Sequence, residues 1–174
     1  MAVLAACRPA PVVTVEDLAG RSVTPLAPAP AVSAFVFVSV DCPISNRYAP
    51  ALVRMRDAYA RRGITLRFVY PSTRTTAAEA RAHALDFGLG DAVLRDPRHA
   101  LLRAAEATTT PEAVVFRGAR RVYHGRIDDW FAAIGVMRAA PTTRDLGDAL
   151  DAALAGRDPA VSVTEPVGCL VEAP

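Results

Sequence analysis

Residues 34–45 read AFVFVSVDCPIS, and the change of character within this stretch decides how the rest of the chain is folded. Ala34 to Val40 is a β-branched and aromatic run without a charge, the pattern of a short strand buried on both faces. Pro43 suits the first position of a helix, where a backbone N–H has no intrahelical partner. Tyr48, Leu52, Met55 and Tyr59 then recur at spacings of four, three and four, one apolar helical stripe that Arg62-Gly63 closes. Cys42 therefore falls where a buried strand ends and a helix begins.

That position carries chemistry. A helix N-terminus presents unpaired N–H groups and about half a positive charge, and both favour a thiolate. The thiolate is the nucleophilic form, and such sites lower a thiol pKa from about 8.5 into the range of about 3.5–7.5. Pro43 removes one N–H and leaves those of Ile44 and Ser45. Ser45 stands where a C-x-x-C motif has its second cysteine, so no dithiol cycle can run within the motif. Asp41 beside the sulfur is expected to raise its pKa, with Arg47 one turn on as an offset. Free cysteine is also among the most buried residue types, so an inert Cys42 is the alternative. A helix tip is a poor place for simple filler.

Working outward, Ile64 to Tyr70 reads as a second strand. Thr76 to Phe87 reads as a helix with Ala77, Ala80, Ala84 and Phe87 on one face. Ala92 to Leu94 is a short strand and Arg98 to Ala105 a short helix. Glu112–Phe116 and Arg121–Tyr123 form a hairpin around Arg117-Gly-Ala-Arg120. Thr142 to Ala155 is a last helix, with Leu146, Leu150 and Leu154 in register and Gly156 as its stop. Towards the N-terminus, residues 12–26 are two short strands around the Leu18–Gly20 turn, joined to the rest by a Pro25–Pro30 connector. Such alternation followed by a hairpin predicts an α/β fold, a central mixed β-sheet flanked by helices.

The 174 residues suit one domain, and 52% hydrophobic residues supply a sizeable core. The formal net charge is +2 and every basic side chain is arginine, spread along the chain, which gives no nucleic-acid surface. Cys7, Cys42 and Cys169 are too few and too far apart for a disulfide framework. No stretch reaches the roughly 20 apolar residues that span a bilayer. Leu4-Ala5-Ala6-Cys7 resembles a bacterial lipobox, although the six residues before Cys7 are fewer than a signal peptide needs. An internal start at Met1 reconciles the two; a chance match in an alanine-rich sequence is the alternative. The expected organisation is a lipoprotein remnant and spacer at 1–11, one domain at 12–156, and a tail at 157–174. The expected location is the cell envelope with a lipid on Cys7, or the cytoplasm if Met1 is the true start.

Residues 17–26 (DLAGRSVTPL), 35–45 (FVFVSVDCPIS), 95–116 (RDPRHALLRAAEATTTPEAVVF) and the hairpin after them resemble the redoxins. These are the alkyl hydroperoxide reductase and thiol-specific antioxidant family of the thioredoxin-like superfamily. The resemblance covers roughly residues 12–155. It implies a thioredoxin-like fold and a thiol oxidoreductase acting on peroxides or protein disulfides, without a cofactor and with an external thiol as reductant. Cys42 would be the nucleophile, and Ser39, Pro43, Ser45, Thr110 and Pro111 would line the substrate site. Thr110-Pro111 falls where the family carries a cis-proline beside the cysteine, exposing the Thr110 backbone to an extended substrate; by itself the sequence reads as a turn proline before a strand. Peroxiredoxins surround their cysteine with P-x-x-x-T-x-x-C; here Ser39 holds the threonine position and Phe35 the proline position. Arg121 and Arg126 are the candidates for the arginine that family peroxidases use.

Cys169, in Pro166-Val-Gly-Cys-Leu170, lies where some two-cysteine relatives keep a resolving thiol, and the tail is long enough to reach Cys42. Alternatively Val167 and Leu170 simply dock the tail on the body. A second function class is copper handling by Cys42, His124 and Cys169. His83 and His99 lie on predicted helices and are expected at the surface. Asp128, Asp129 and Trp130 read as a polar turn with Trp130 packed on the core, or as a border to the cysteine. A third class is a non-catalytic binding module on the same fold.

Overall fold

The computed structural model describes residues 12–91 and 93–172. Strands β1 (Val15–Asp17) and β2 (Ser22–Val23) pair antiparallel around the expected turn, which the Asp17 carboxylate fixes by accepting from the Ala19 and Arg21 N–H groups. Then come β3 (Val32–Phe37), α1 (Pro43–Ala60), β4 (Thr65–Tyr70), α2 (Ala77–Asp86), β5 (Val93–Arg95) and α3 (Ala100–Ala105). The second half holds β6 (Thr109–Thr110), β7 (Glu112–Arg117), β8 (Arg120–Gly125), β9 (Phe131–Ala133), β10 (Val136–Met137), α4 (Asp145–Leu154) and β11 (Cys169–Leu170).

Seven strands form one mixed sheet in the order β2-β1-β5-β4-β3-β7-β8. The pairs β3–β4 and β4–β5 are parallel, so helices α1 and α2 make the crossovers between them. The pairs β3–β7, β7–β8 and β1–β5 are antiparallel. Strand β3 is buried along its whole length, as its sequence requires. Ala34 and Val36 join a core built with Leu52 of α1, Ala84 of α2 and Leu146 and Leu150 of α4. Phe35 and Phe37 point the other way, into a second cluster with Leu101, Leu102 and Ala105 of α3. Helices thus cover both faces of the sheet.

Several boundaries differ from expectation for local reasons. Strand β3 stops at Phe37: Val38 still donates to the Val69 carbonyl, but the chain then turns, with the Cys42 N–H on the Ser39 carbonyl. That turn carries the chain over the sheet to start α1. Helix α4 begins at Asp145 rather than Thr142, because the Asp129 carboxylate holds Thr142 and Thr143 in a loop through both N–H groups and the Thr142 hydroxyl. Two pairings have no counterpart in the sequence reading, β9 with β10 and β6 with β11.

Two histidines expected at the surface are inside. His83 of α2 sits between the Tyr70 hydroxyl (2.6 Å) and the Asn46 side-chain carbonyl (2.8 Å), and its ring lies against Phe87. His99 precedes α3 with φ +53°, and its Nε2 meets the Pro71 carbonyl at 2.6 Å. Both ring nitrogens of His83 and the Nε2 of His99 find polar partners from elsewhere in the chain, which lets the rings sit inside.

Candidate active site

Cys42 occupies the N-cap position of α1, with extended backbone and only 1% of its surface exposed. As a thiol it donates to the Thr110 carbonyl at 3.0 Å. The peptide between Thr110 and Pro111 is cis. Facing the sulfur are the backbone N–H and hydroxyl of Ser45 and the side chain of Cys169. Burial pushes the Cys42 thiol up, but hydrogen bonds from Cys169 and Ser45 outweigh it and hold the pKa below the ordinary value. The Ser45 hydroxyl is buried without a hydrogen-bond partner among the described residues, and the neighbouring Cys42 sulfur, as a thiolate, is the acceptor that would satisfy it. Asp41 and Arg47 are both exposed, and the pull on the sulfur comes from Ser45 and Cys169 instead.

Cys169 reaches this point through the tail. Beyond α4 the chain runs along the outer edge of β8, where the His124 N–H donates to the Ser162 carbonyl and the Thr164 N–H to the His124 carbonyl. The Thr164 hydroxyl accepts from the Arg126 N–H at 3.0 Å and meets the Tyr123 hydroxyl at 2.7 Å. Strand β11 then pairs antiparallel with β6, Cys169 opposite Thr110 and Leu170 opposite Thr109. The Val171 N–H continues this ladder to the Thr108 carbonyl, and Glu172 ion-pairs with Arg74 at 2.6 Å. Across 127 residues of sequence, the two sulfurs stand 2.8 Å apart. Burial and the neighbouring Cys42 push the Cys169 thiol up to about 11. The pair is therefore asymmetric, with Cys42 the more acidic thiol and Cys169 the one that keeps its proton to higher pH.

The remaining expected residues are placed as follows. Ser39 accepts from the Asp41 N–H at 3.4 Å and, with Thr110 and Cys169, lines a cavity of about 320 Å³. Pro43 is exposed on the first turn of α1. Pro111 is buried beside Tyr48, Phe131 and Val167. Arg121 holds the Ala105 carbonyl and Glu106, and Arg126 pairs with Asp145, so both arginines are engaged away from Cys42. His124 stands 3.5 Å from Glu112. Among the described residues no three His, Cys, Asp or Glu side chains form a cluster that could hold a metal. The 128–130 segment is a polar turn: Asp128 accepts from the Tyr48 hydroxyl at 2.5 Å, and Trp130 packs on Tyr48 and Phe131. Cys7 lies outside the described residues. Among the described residues no helix is long and apolar enough to cross a membrane.

Glu112 is a contributor that the sequence reading passed over. It is buried, and one carboxylate oxygen accepts from the Thr108 and Thr109 N–H groups at 2.9 and 3.1 Å. This clamp fixes the segment whose carbonyls face Cys42 and the tail.

No family model matches the chain, and no curated protein matches it. Solved structures do. A hypothetical protein from Sinorhizobium meliloti is 25% identical, with a TM-score of 0.73 over 91% of this chain and 88% of its own. A secreted disulfide oxidoreductase from Mycobacterium tuberculosis is 17% identical, with a TM-score of 0.57 over 83% and 96%. A putative thioredoxin from Neisseria meningitidis is 20% identical, with a TM-score of 0.56 over 66% and 77%. The fold is thioredoxin-like, a mixed sheet between helices.

Proposed function

We propose that this protein is a thiol–disulfide oxidoreductase in which Cys42 is the nucleophile and Cys169 the resolving thiol. The observation that carries this reading is the 2.8 Å separation of the two sulfurs, held by the β6–β11 pairing. The Cys42 thiolate attacks one sulfur of a disulfide substrate; that bond breaks and the far sulfur leaves as a thiolate, which takes up a proton. Cys169 then gives up its proton and attacks Cys42, forming the intramolecular disulfide and releasing the second half of the substrate. An external thiol restores the dithiol. A hydroperoxide could enter the same cycle through a sulfenic acid on Cys42, releasing its alcohol, with water leaving when Cys169 condenses with the sulfenic acid. The engagement of Arg121 and Arg126 elsewhere favours the disulfide substrate. The cell envelope is the compartment where disulfide substrates form and persist, and the similar Mycobacterium tuberculosis protein is secreted.

Turnover of a peptide disulfide by wild type, Cys42→Ser and Cys169→Ser proteins tests the assignment. Cys42→Ser is expected to be inert. Cys169→Ser is expected to stall with the substrate half attached to Cys42. Wild-type turnover by Cys169→Ser would overturn the resolving role.

A further inference from the structure

We infer that the cavity beside Cys169 admits a small, positively charged thiol, which reduces the oxidised pair by attacking the Cys169 sulfur. The inference rests on the reading of Cys42 and Cys169 as a redox pair, and three observations lead to it.

The first is access. Cys42 is 1% exposed, whereas Cys169 is only partly buried and forms part of the wall of the 320 Å³ cavity. The cavity wall also includes Ser39, Asp41, Arg74 and Glu172, but not Cys42. A molecule entering there meets Cys169 first.

The second is the closed edge. An extended polypeptide binds most simply by adding a strand to a free backbone edge. Here Cys169–Leu170 already pairs with Thr109–Thr110, and Val171 is bonded to Thr108. A protein reductant that docked by strand addition would have to displace the tail and, with it, the Cys169 sulfur it must attack. A small thiol displaces nothing.

The third is charge. The cavity wall carries the carboxylates of Asp41, Glu79 and Glu172 against the single guanidinium of Arg74, which is already paired with Glu172. Among the described residues the lining is therefore net negative. It attracts an ammonium-bearing thiol and repels a carboxylate-bearing one.

The chemistry closes. The small thiolate attacks Cys169 Sγ, the Cys42–Cys169 bond breaks, and the electron pair leaves on Cys42. The Ser45 backbone N–H and hydroxyl lie beside that sulfur and lower its pKa, which makes it the better leaving group. A second small thiolate attacks the mixed disulfide at its own kind of sulfur and releases the small disulfide. Cys169 takes up one of the two protons the small thiols gave up, and the other goes to solvent.

The test uses the Cys7→Ser protein, oxidised with diamide and mapped to show the Cys42–Cys169 disulfide. Cysteamine is then added, the reaction is quenched with acid early, free thiols are alkylated, and peptides are read by mass spectrometry. The expected result is cysteamine on Cys169 and the alkyl group on Cys42. Cysteamine should also outpace mercaptoacetate by about fivefold or more beyond their ratio on a small model disulfide, with the gap closing at high salt. An adduct on Cys42, or no preference for the cation, overturns the inference and leaves the redox pair standing. Failure of diamide to give the Cys42–Cys169 disulfide overturns both.

Discussion

Gly168 packs so closely on Thr110 that a methyl group on its α-carbon would stand 2.1 Å from the Thr110 carbonyl oxygen. Neither partner can yield cheaply, because the clash is with backbone and because the same carbonyl faces Cys42. Gly168→Ala is therefore expected to lift β11 off β6 and carry Cys169 away from Cys42. The rate of intramolecular disulfide formation under diamide should fall by about tenfold or more, roughly 1.4 kcal/mol on the barrier. Thermal stability should change little, since only the tail is displaced. Gly125→Ala, with φ +137° and the Thr164 carbonyl 2.1 Å from the added carbon, should act in the same direction from further along the tail. An unchanged rate in Gly168→Ala would show that the β6–β11 pairing does not place Cys169.

Ser45 and Cys169 both lower the Cys42 pKa by donating to its sulfur. Ser45→Ala and Cys169→Ala should each move the alkylation profile of Cys42 to higher pH, and the double substitution should move it furthest. Ser45→Ala should cost the reduced protein little stability at low pH, where Cys42 is a thiol and the buried hydroxyl has no hydrogen-bond partner to lose. Rates of iodoacetamide labelling against pH, read by mass spectrometry in the Cys7→Ser background, supply the measurement. A profile unmoved by Ser45→Ala would contradict the proposed stabilisation.

Burial lowers the His83 pKa from its ordinary value, against smaller opposing pulls from Asp86 and Asp41. In the neutral ring, Nε2–H donates to Asn46 and Nδ1 accepts from the Tyr70 hydroxyl; Asn46 in turn donates to the Val40 carbonyl beside the cysteine loop. The unfolded chain then binds more protons than the folded one below about pH 6.5, so stability is full above that pH and is lost as pH falls toward the folded pKa. Urea unfolding from pH 7.5 to 5 is expected to show this loss in wild type and a flatter profile in His83→Gln. Equal profiles would place the titration elsewhere.

The strand-to-helix junction at Cys42 was legible because two local patterns meet there: a run apolar on both faces, and a stripe of Tyr48, Leu52 and Tyr59 that packs as its spacing demands. The β7–β8 hairpin and the cis peptide before Pro111 were legible too, the latter only through the family resemblance. The β9–β10 hairpin has a short local signal, Gly135 between apolar residues. Other features had no local signal at all. His83 reads as a polar residue on an alanine-rich helix until Tyr70 and Asn46 arrive from other elements. Glu112 reads as the start of a strand until its carboxylate meets the Thr108 and Thr109 N–H groups. The reach of the tail was foreseeable, but its pairing with Thr109–Thr110 was not, because no periodicity in residues 157–172 names a partner strand. Gly168 and Gly125 mark that path only once the close approaches they permit are seen.

The most direct test of the central claim is the peptide map of the Cys7→Ser protein after one equivalent of diamide, run without reduction. A single Cys42–Cys169 cross-link within one chain is the predicted product. A Cys42–Cys42 dimer, or two free thiols after the diamide is consumed, would contradict the assignment of Cys169 as the partner of Cys42.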